Sequence, residues 1–133
     1  MGYRSDVMAL IYPDACSSEE EQRAKYEQLK VLMNTTFKSV SDEFGDPYME
    51  WVDSQCVLQF NIPDVKWYPS YPDVRMFAQM MDSFNGTEDE GQIPGYCTEF
   101  VRIGEESDDA DEVHTGDNNQ YYLSVRRSID CNL

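Results

Sequence analysis

The stretch Val7-Met8-Ala9-Leu10-Ile11-Tyr12 is apolar at every position, and Pro13-Asp14 follows it as a turn signal. A short, uninterrupted apolar run that ends at a turn is typical of a strand buried on both faces. The sequence therefore predicts a central strand near the N-terminus, around which the later elements are arranged. The run is far too short to cross a bilayer, and the residues before it lack the pattern of a secretory leader.

Two helical patterns follow this strand. Ser17 and Glu20 form a capping box, and the neighbouring glutamates lie where the helix dipole favours anions. Apolar residues then recur every three or four positions until Gly45, which predicts one long helix with a buried stripe of Tyr26, Leu29, Met33, Phe37, Val40 and Phe44. Ser70-Tyr71-Pro72-Asp73 opens a second helix, whose buried residues are Val74, Phe77, Met81 and Phe84.

The segments between and after the helices predict further strands. Cys56 to Ile62 alternates with the period of a strand, and Val65 to Tyr68 is a short partner for it. Tyr96 to Ile103 and Tyr121 to Ile129 complete the order β-α-β-(β)-α-β-β. We therefore predict an α+β two-layer sandwich, in which two helices pack on a mostly antiparallel sheet of four to five strands with a ferredoxin-like character.

The charge of the chain is extreme and uneven. Its 133 residues include 26 Asp and Glu but only 10 Lys and Arg, for a formal net charge of −16 at pH 7. Aromatic residues make up 13%, which excludes a globally disordered acidic chain, and the length predicts one domain, 1–133. Residues 76–133 hold 13 acidic and 3 basic residues, a net charge of −10. We expect this excess to lie in two acidic loops, at about 86–95 and 105–119.

Such a surface repels nucleic acid and anionic lipid, and it attracts the basic grooves with which proteins bind nucleic acid. Carboxylates two residues apart on an extended chain lie about 6.7 Å apart, close to the spacing of phosphates along a strand. We predict that the acidic segments contact such a partner through Glu88, Asp89, Glu90, Glu105, Glu106, Asp108, Asp109, Asp111 and Glu112. The alternative is that they are solvated loops.

The sequence contains little that points to catalysis or metal binding. A calcium loop starting at Asp109 and including Asp111 fails, because His114 stands at its sixth position and Gln120 at its twelfth. We expect His114, the only histidine, to be fully hydrated, and we predict no catalytic residue, metal or cofactor. The cysteines form no CxxC motif, and we expect reduced, mostly buried thiols in a cytoplasm; they are Cys16, Cys56, Cys97 and Cys131.

A second candidate site combines the few basic residues with aromatic ones. Several bases stand at the ends of predicted strands beside aromatic side chains, and if these ends meet they form a small cationic patch. A patch of this kind suits an anion or a nucleotide. Its residues are Arg4, Trp67, Tyr71, Arg102 and Arg126. The alternative is that each arginine neutralises the acidic residues around it.

Four segments of the chain resemble a family of small uncharacterised proteins of tailed bacteriophages. They are Gly2-Tyr3-Arg4-Ser5-Asp6-Val7, Lys66-Trp67-Tyr68-Pro69-Ser70-Tyr71-Pro72-Asp73-Val74, Phe100-Val101-Arg102-Ile103-Gly104-Glu105 and Val125-Arg126-Arg127-Ser128-Ile129. The resemblance implies a phage accessory protein that acts in the cytoplasm of a bacterial host. It implies no catalytic residues, because the family has no assigned activity.

Very acidic phage accessory proteins often resemble inhibitors that imitate nucleic acid, such as anti-restriction and anti-CRISPR proteins. The sequence therefore favours a non-enzymatic inhibitor that occupies a basic nucleic-acid-binding groove on a host protein, without contacting nucleic acid or a membrane itself. One alternative is a small-ligand or nucleotide-binding protein, with or without enzymatic activity, that uses the arginine and aromatic patch. Another is a virion or scaffold component. A homodimer through edge strands or through Tyr121 and Tyr122 is also open.

Overall fold

A computed structural model describes residues 3–84, 92–106, 108–125 and 129–133. Within these ranges the chain forms seven strands and three helices. In chain order they are β1 (Ser5–Pro13), α1 (Glu19–Asn34), α2 (Lys38–Phe44), β2 (Met49–Val52), β3 (Val57–Val65), α3 (Pro72–Ser83), β4 (Tyr96–Gly104), β5 (Ala110–Thr115), β6 (Leu123–Val125) and β7 (Ile129–Cys131).

The strand β1 lies at the centre of a five-stranded antiparallel sheet with the order β2-β3-β1-β4-β5. Ala9 in its middle is opposite Phe60 on β3 and Phe100 on β4. The first four strands and the helices between them follow the β-α-β-β-α-β order of ferredoxin-like folds, and β5 extends the sheet by a hairpin. The predicted α+β two-layer sandwich and the central position of the apolar run are confirmed.

The two faces of β1 are covered by different cores. The residues that face the helices are Val7, Ala9 and Ile11. Those on the opposite face are Met8, Leu10 and Tyr12, and they pack with Leu123 of β6. The β6–β7 pair is a separate two-stranded ribbon that covers this second face, so both sides of the central strand are removed from water.

Phe77 of α3 is the hub of the helix-side core. Its fully buried ring lies 5.0 Å from that of Phe60, 5.4 Å from those of Phe44 and Trp67, and 6.5 Å from that of Phe100, measured between ring centroids. Three of these contacts are edge-to-face, the arrangement that the quadrupoles of aromatic rings favour. The cluster connects α2 and α3 to β3 and β4, the two strands that flank β1.

The prediction of one long first helix was wrong, because the helix is interrupted between α1 and α2. Thr35 closes α1, and its hydroxyl donates to the carbonyl of Val31 at 2.7 Å, a local bond that competes with continued helix. The N-cap is also one residue later than predicted. Ser18 accepts from the N–H of Glu21 at 3.1 Å, while Ser17 donates to the carboxylate of Glu21 at 2.6 Å.

Two expectations about the second half of the chain were also wrong. The segment 105–119 is not a continuous loop, because β5 pairs with β4 from Ala110 opposite Ile103 to Thr115 opposite Thr98. The stretch from Tyr121 to Ile129 is not one strand but contributes to the two short strands of the ribbon. In both cases the strands are defined by their pairing partners, which local periodicity does not reveal.

One expectation about the strand partner of β3 was wrong as well. The predicted short strand from Val65 to Tyr68 is not a partner, because Val65 is the last residue of β3 itself. The partner is β2, which places Trp51 opposite Leu58.

Glu99 of β4 anchors the ribbon to the sheet, although it is fully buried. Its Oε2 accepts hydrogen bonds from the hydroxyl of Tyr12 at 2.8 Å and from the N–H of Tyr122 at 3.2 Å. Its Oε1 accepts from the N–H of Leu123 at 2.9 Å, and the Tyr12 hydroxyl in turn accepts from the N–H of Gln120 at 2.8 Å. A buried carboxylate persists only with such partners, so these bonds fix the chain entering β6.

Replacing this carboxylate by an amide tests the anchor. We expect Glu99→Gln to lower the free energy of unfolding by about 2–3 kcal/mol, because the amide NH₂ would oppose backbone N–H donors inside the core. Urea denaturation measures the change. The matched control is Glu106→Gln, an exposed glutamate, for which we expect a change within about 0.5 kcal/mol. Equal effects of the two substitutions would contradict the anchoring role.

Candidate functional site

Six carboxylates lie within eight residues where β4 turns into β5. We call residues 104–112 the acidic hairpin; its acidic residues are Glu105, Glu106, Asp108, Asp109, Asp111 and Glu112. Residue 107 is outside the described part of the chain. These are the sequence-predicted contact residues of the second acidic segment, and the structure brings them together at one end of the sheet. Glu88, Asp89 and Glu90, from the first segment, lie outside the described residues.

The turn of the acidic hairpin is closed by its own backbone. The N–H of Gly104 donates to the carbonyl of Asp109 at 2.8 Å, and the N–H of Asp109 donates to the carbonyl of Glu106 at 3.1 Å. A Cβ atom at Gly104 would collide with the Tyr3 hydroxyl and with the Asp109 carboxylate, so a larger residue there would displace the contact between these two side chains.

The N-terminal segment holds the same turn from outside. The hydroxyl of Tyr3 donates to Oδ2 of Asp109 at 2.6 Å and accepts from the N–H of Glu106 at 3.0 Å. The N–H of Arg4 donates to the carboxylate of Glu105 at 2.8 Å. These contacts cross more than a hundred residues of sequence, and they hold the turn in one position relative to the sheet.

Arg102 of β4 joins the turn to β5. Its guanidinium binds Asp109 through two bonds, Nη2 to Oδ1 at 2.6 Å and Nη1 to Oδ2 at 3.2 Å. Its Nε donates to Oδ2 of Asp111 at 2.8 Å, and Nη1 also donates to the hydroxyl of Ser5 at 3.0 Å. The side chain of Arg102 is largely buried, but those of Asp109 and Asp111 are 32% and 58% exposed, so solvent partly screens these charge-assisted bonds. They lower the pKa of Asp109 to about 2 and raise that of Arg102.

The acidic hairpin therefore has two kinds of carboxylate. Asp109 and Asp111 are compensated by Arg102, whereas no described side chain pairs with the carboxylate of Glu106 or of Asp108, both of which are exposed. The hairpin keeps a strong excess of negative charge, because one arginine faces six acids. The charge is held on an ordered turn and strand and not on a continuous loop.

His114 is not hydrated, contrary to expectation. Its side chain is only 10% exposed, with Nδ1 3.1 Å from Oε1 of Glu99 and Nε2 3.7 Å from Oε1 of Glu112. The ring of Tyr121 lies over it at 4.6 Å. Because β5 pairs with β4, the side chain of His114 is directed toward the face of the sheet that the ribbon covers. A loop would not fix its direction in this way.

The groups considered for a metal do not converge. Asp109 and Asp111 bind Arg102, whereas His114 contacts Glu99 and Glu112 on the other face of β5. Across the described residues, no group of three or more metal-binding side chains is found. The structure thus separates the three residues that a cation site starting at Asp109 would have used.

All four cysteines are unpaired. Cys56 and Cys97 are buried, Cys16 is half-buried and Cys131 is exposed. Burial raises the pKa of the Cys97 thiol to about 12, which keeps it protonated and unreactive at neutral pH.

The residues of the predicted arginine and aromatic patch are mostly dispersed. Arg4 and Tyr71 line one open depression of about 420 Å³ together with Lys66. Trp67, by contrast, packs against Phe44, Phe77 and Phe100 in the core. The donors of Arg102 bind the acidic hairpin and Ser5, and Arg126 lies outside the described residues.

An apolar pocket beside β5 was missed by sequence reasoning. It has a volume of about 210 Å³ and opens to solvent, and its lining residues include Trp67, Phe77, Ala78, Met81, Phe100 and Val113. The available signal was Val113, a large apolar residue within the acidic segment, which is 50% exposed in the structure. In a loop, as the sequence predicts for this segment, such a residue carries no information about the direction of its side chain.

Comparison of this chain with protein-family models, with curated proteins and with solved structures gives no match. None of the helices in the described ranges has the length and apolar character that a membrane span requires.

The acid sensitivity of the Asp109–Arg102 contact is testable. The pKa of Asp109 falls from its ordinary 3.8 to about 2 in the folded chain, so the contact stabilises the fold fully above the unfolded value and loses its effect as the pH drops through the folded value. At pH 6 we expect the Tm of the wild type to be higher than that of Asp109→Asn. This difference in Tm should shrink between about pH 4 and pH 2. Thermal melts across this range measure it, and a difference that does not change with pH would contradict the contact.

Proposed function

We propose that the protein is a non-enzymatic acidic inhibitor that binds a basic, nucleic-acid-binding surface of another protein through its acidic hairpin. The observation that carries the proposal is the ordered placement of the hairpin carboxylates by Tyr3, Arg4 and Arg102. A mobile acidic loop would lose conformational freedom on binding, whereas a preorganised one loses less.

The charge distribution supports this proposal. Arg102 is the single basic residue among residues 102–112, which carry six acids, so this stretch alone has a net charge of −5 within a chain of −16. Charge of one sign on a fixed surface steers an oppositely charged partner and repels nucleic acid. The protein would thereby compete with nucleic acid for the same basic groove.

The resemblance to tailed-phage proteins suggests where this happens. A phage accessory protein in a bacterial host meets basic grooves on defence nucleases and on polymerases, and blocking either would benefit the phage. We therefore place the proposed action in the host cytoplasm, with a defence or nucleic-acid-processing protein as the target.

A charge-reversal pair tests the hairpin as the contact surface. Immobilised protein would be exposed to bacterial lysate and eluted with a salt gradient, and the partner identified. We expect binding to that partner to weaken about tenfold or more as NaCl rises from about 50 to about 500 mM. Glu106→Lys combined with Asp108→Lys, which changes the charge from −16 to −12, should weaken it roughly tenfold further at low salt.

The matched control carries the same change in charge elsewhere. Glu20→Lys combined with Glu50→Lys also gives −12. Both glutamates are exposed and remote from the hairpin, because Glu50 lies in β2 at the opposite edge of the sheet and Glu20 lines a depression with Ser54 and Cys56, between β2 and β3. Salt-insensitive binding, or equal weakening by both pairs of substitutions, would contradict the proposal.

A further inference from the structure

We propose that the bound element of the partner is an extended basic segment that pairs with the free edge of β5 and inserts one large apolar side chain into the pocket beside it. This inference rests on the proposed function and specifies the partner of the same surface. It depends on three observations: an unpaired strand edge, an apolar pocket along it, and acidic side chains on both of its faces.

The backbone of β5 has hydrogen-bonding groups that no described residue uses. Because Gly104 bonds Asp109 directly across the hairpin, the antiparallel alternation directs the backbone of every second residue toward β4. The N–H and C=O groups of Ala110, Glu112 and His114 then face away from β4. In the described part of the ribbon, the hydrogen bond to β5 runs from the N–H of Val125 to the side chain of Glu112 at 3.1 Å, and it uses none of these backbone groups. Open edges of this kind accept extended peptides as an added strand.

The pocket lies between α3 and the edge of the sheet. Phe77 and Met81 of α3 line it from the helix side, Phe100 of β4 and Val113 of β5 line it from the sheet, and Trp67 contributes to the lining. A cavity of about 150 Å³ can hold a benzene ring, so about 210 Å³ accommodates one aromatic or large aliphatic side chain.

The register of an added strand connects the edge to the pocket. A strand paired with β5 lies about 4.8 Å away, and its residue beside Val113 projects on the helix side of the sheet, over the mouth of the pocket. Its residue two positions along on that face lies beside Asp111, whose side chain stays 58% exposed despite its bond to Arg102. Residues on the other face lie beside Glu112, which is also partly exposed. A large apolar residue with Lys or Arg at neighbouring positions therefore complements the edge.

The same charges argue against a second copy of this chain as the occupant. Pairing of β5 with another β5 would bring two strands that each carry Asp111 and Glu112 side by side, and like charges across a strand pair are destabilising. A basic segment removes this repulsion and uses the apolar pocket at the same time.

A random library of twelve-residue peptides, panned against the immobilised full chain, tests the inference. We expect enriched peptides to share one large apolar residue with Lys or Arg one or two positions away. Ala78 lies on the exposed side of α3 and lines the pocket, so Ala78→Phe fills it. This substitution should lower the affinity for the selected peptides at least about tenfold. Gln79→Phe, one residue along the same helix and outside the pocket lining, is the matched control and should change affinity less than about twofold.

Hydrogen exchange provides the second readout. Bound peptide should slow exchange at the N–H groups of Ala110, Glu112 and His114 and leave β2, at the opposite edge, unchanged. The inference would be overturned if the enriched peptides shared no such motif, or if they bound Ala78→Phe as tightly as the wild type. Slowed hydrogen exchange at residues other than those of β5 would also overturn it. The charge-based proposal would stand in each of these cases, because the hairpin charge reversal tests it separately with the protein partner.

Discussion

The burial of β1 on both faces is the constraint around which the structure is built. A strand with six consecutive apolar residues cannot leave either face in water. The helices cover one face through the aromatic cluster around Phe77. The ribbon covers the other, and there Tyr12 of β1 itself donates to Glu99, the carboxylate that anchors the ribbon. The helices and the ribbon are therefore both needed to bury this one strand.

The acidic hairpin depends on the same sheet. Pairing of Ser5 with Gly104 brings the residues before β1 beside the turn after β4, which is why Tyr3 and Arg4 can hold it. Arg102 is fixed by its place in β4 and determines where Asp109 and Asp111 lie. The most highly charged part of the protein is thus positioned by its apolar core, and the electrostatic function that we propose depends on that core remaining folded.

Local patterns predicted the elements whose character is set by their own residues. β1, β4 and α3 occur where the apolar period placed them, and the predicted class of fold is confirmed. The break at Thr35 was missed, because the buried stripe from Tyr26 to Phe44 continues in helical register across it and gives no sign of interruption. β5 was missed because its only large apolar residue is Val113, and its pairing depends on β4 and not on an alternation of its own.

The quantity and sign of the charge at the candidate site follow from the amino-acid composition. What that charge can do depends on the folded sheet. It joined Arg102 to Asp109 and Asp111, enclosed His114 beside Glu99, and opened a pocket between α3 and β5. The difference arises because periodicity reports contacts between near neighbours in the chain. The choice of partner for an arginine, a buried carboxylate or a strand edge depends on residues that only the folded sheet brings together.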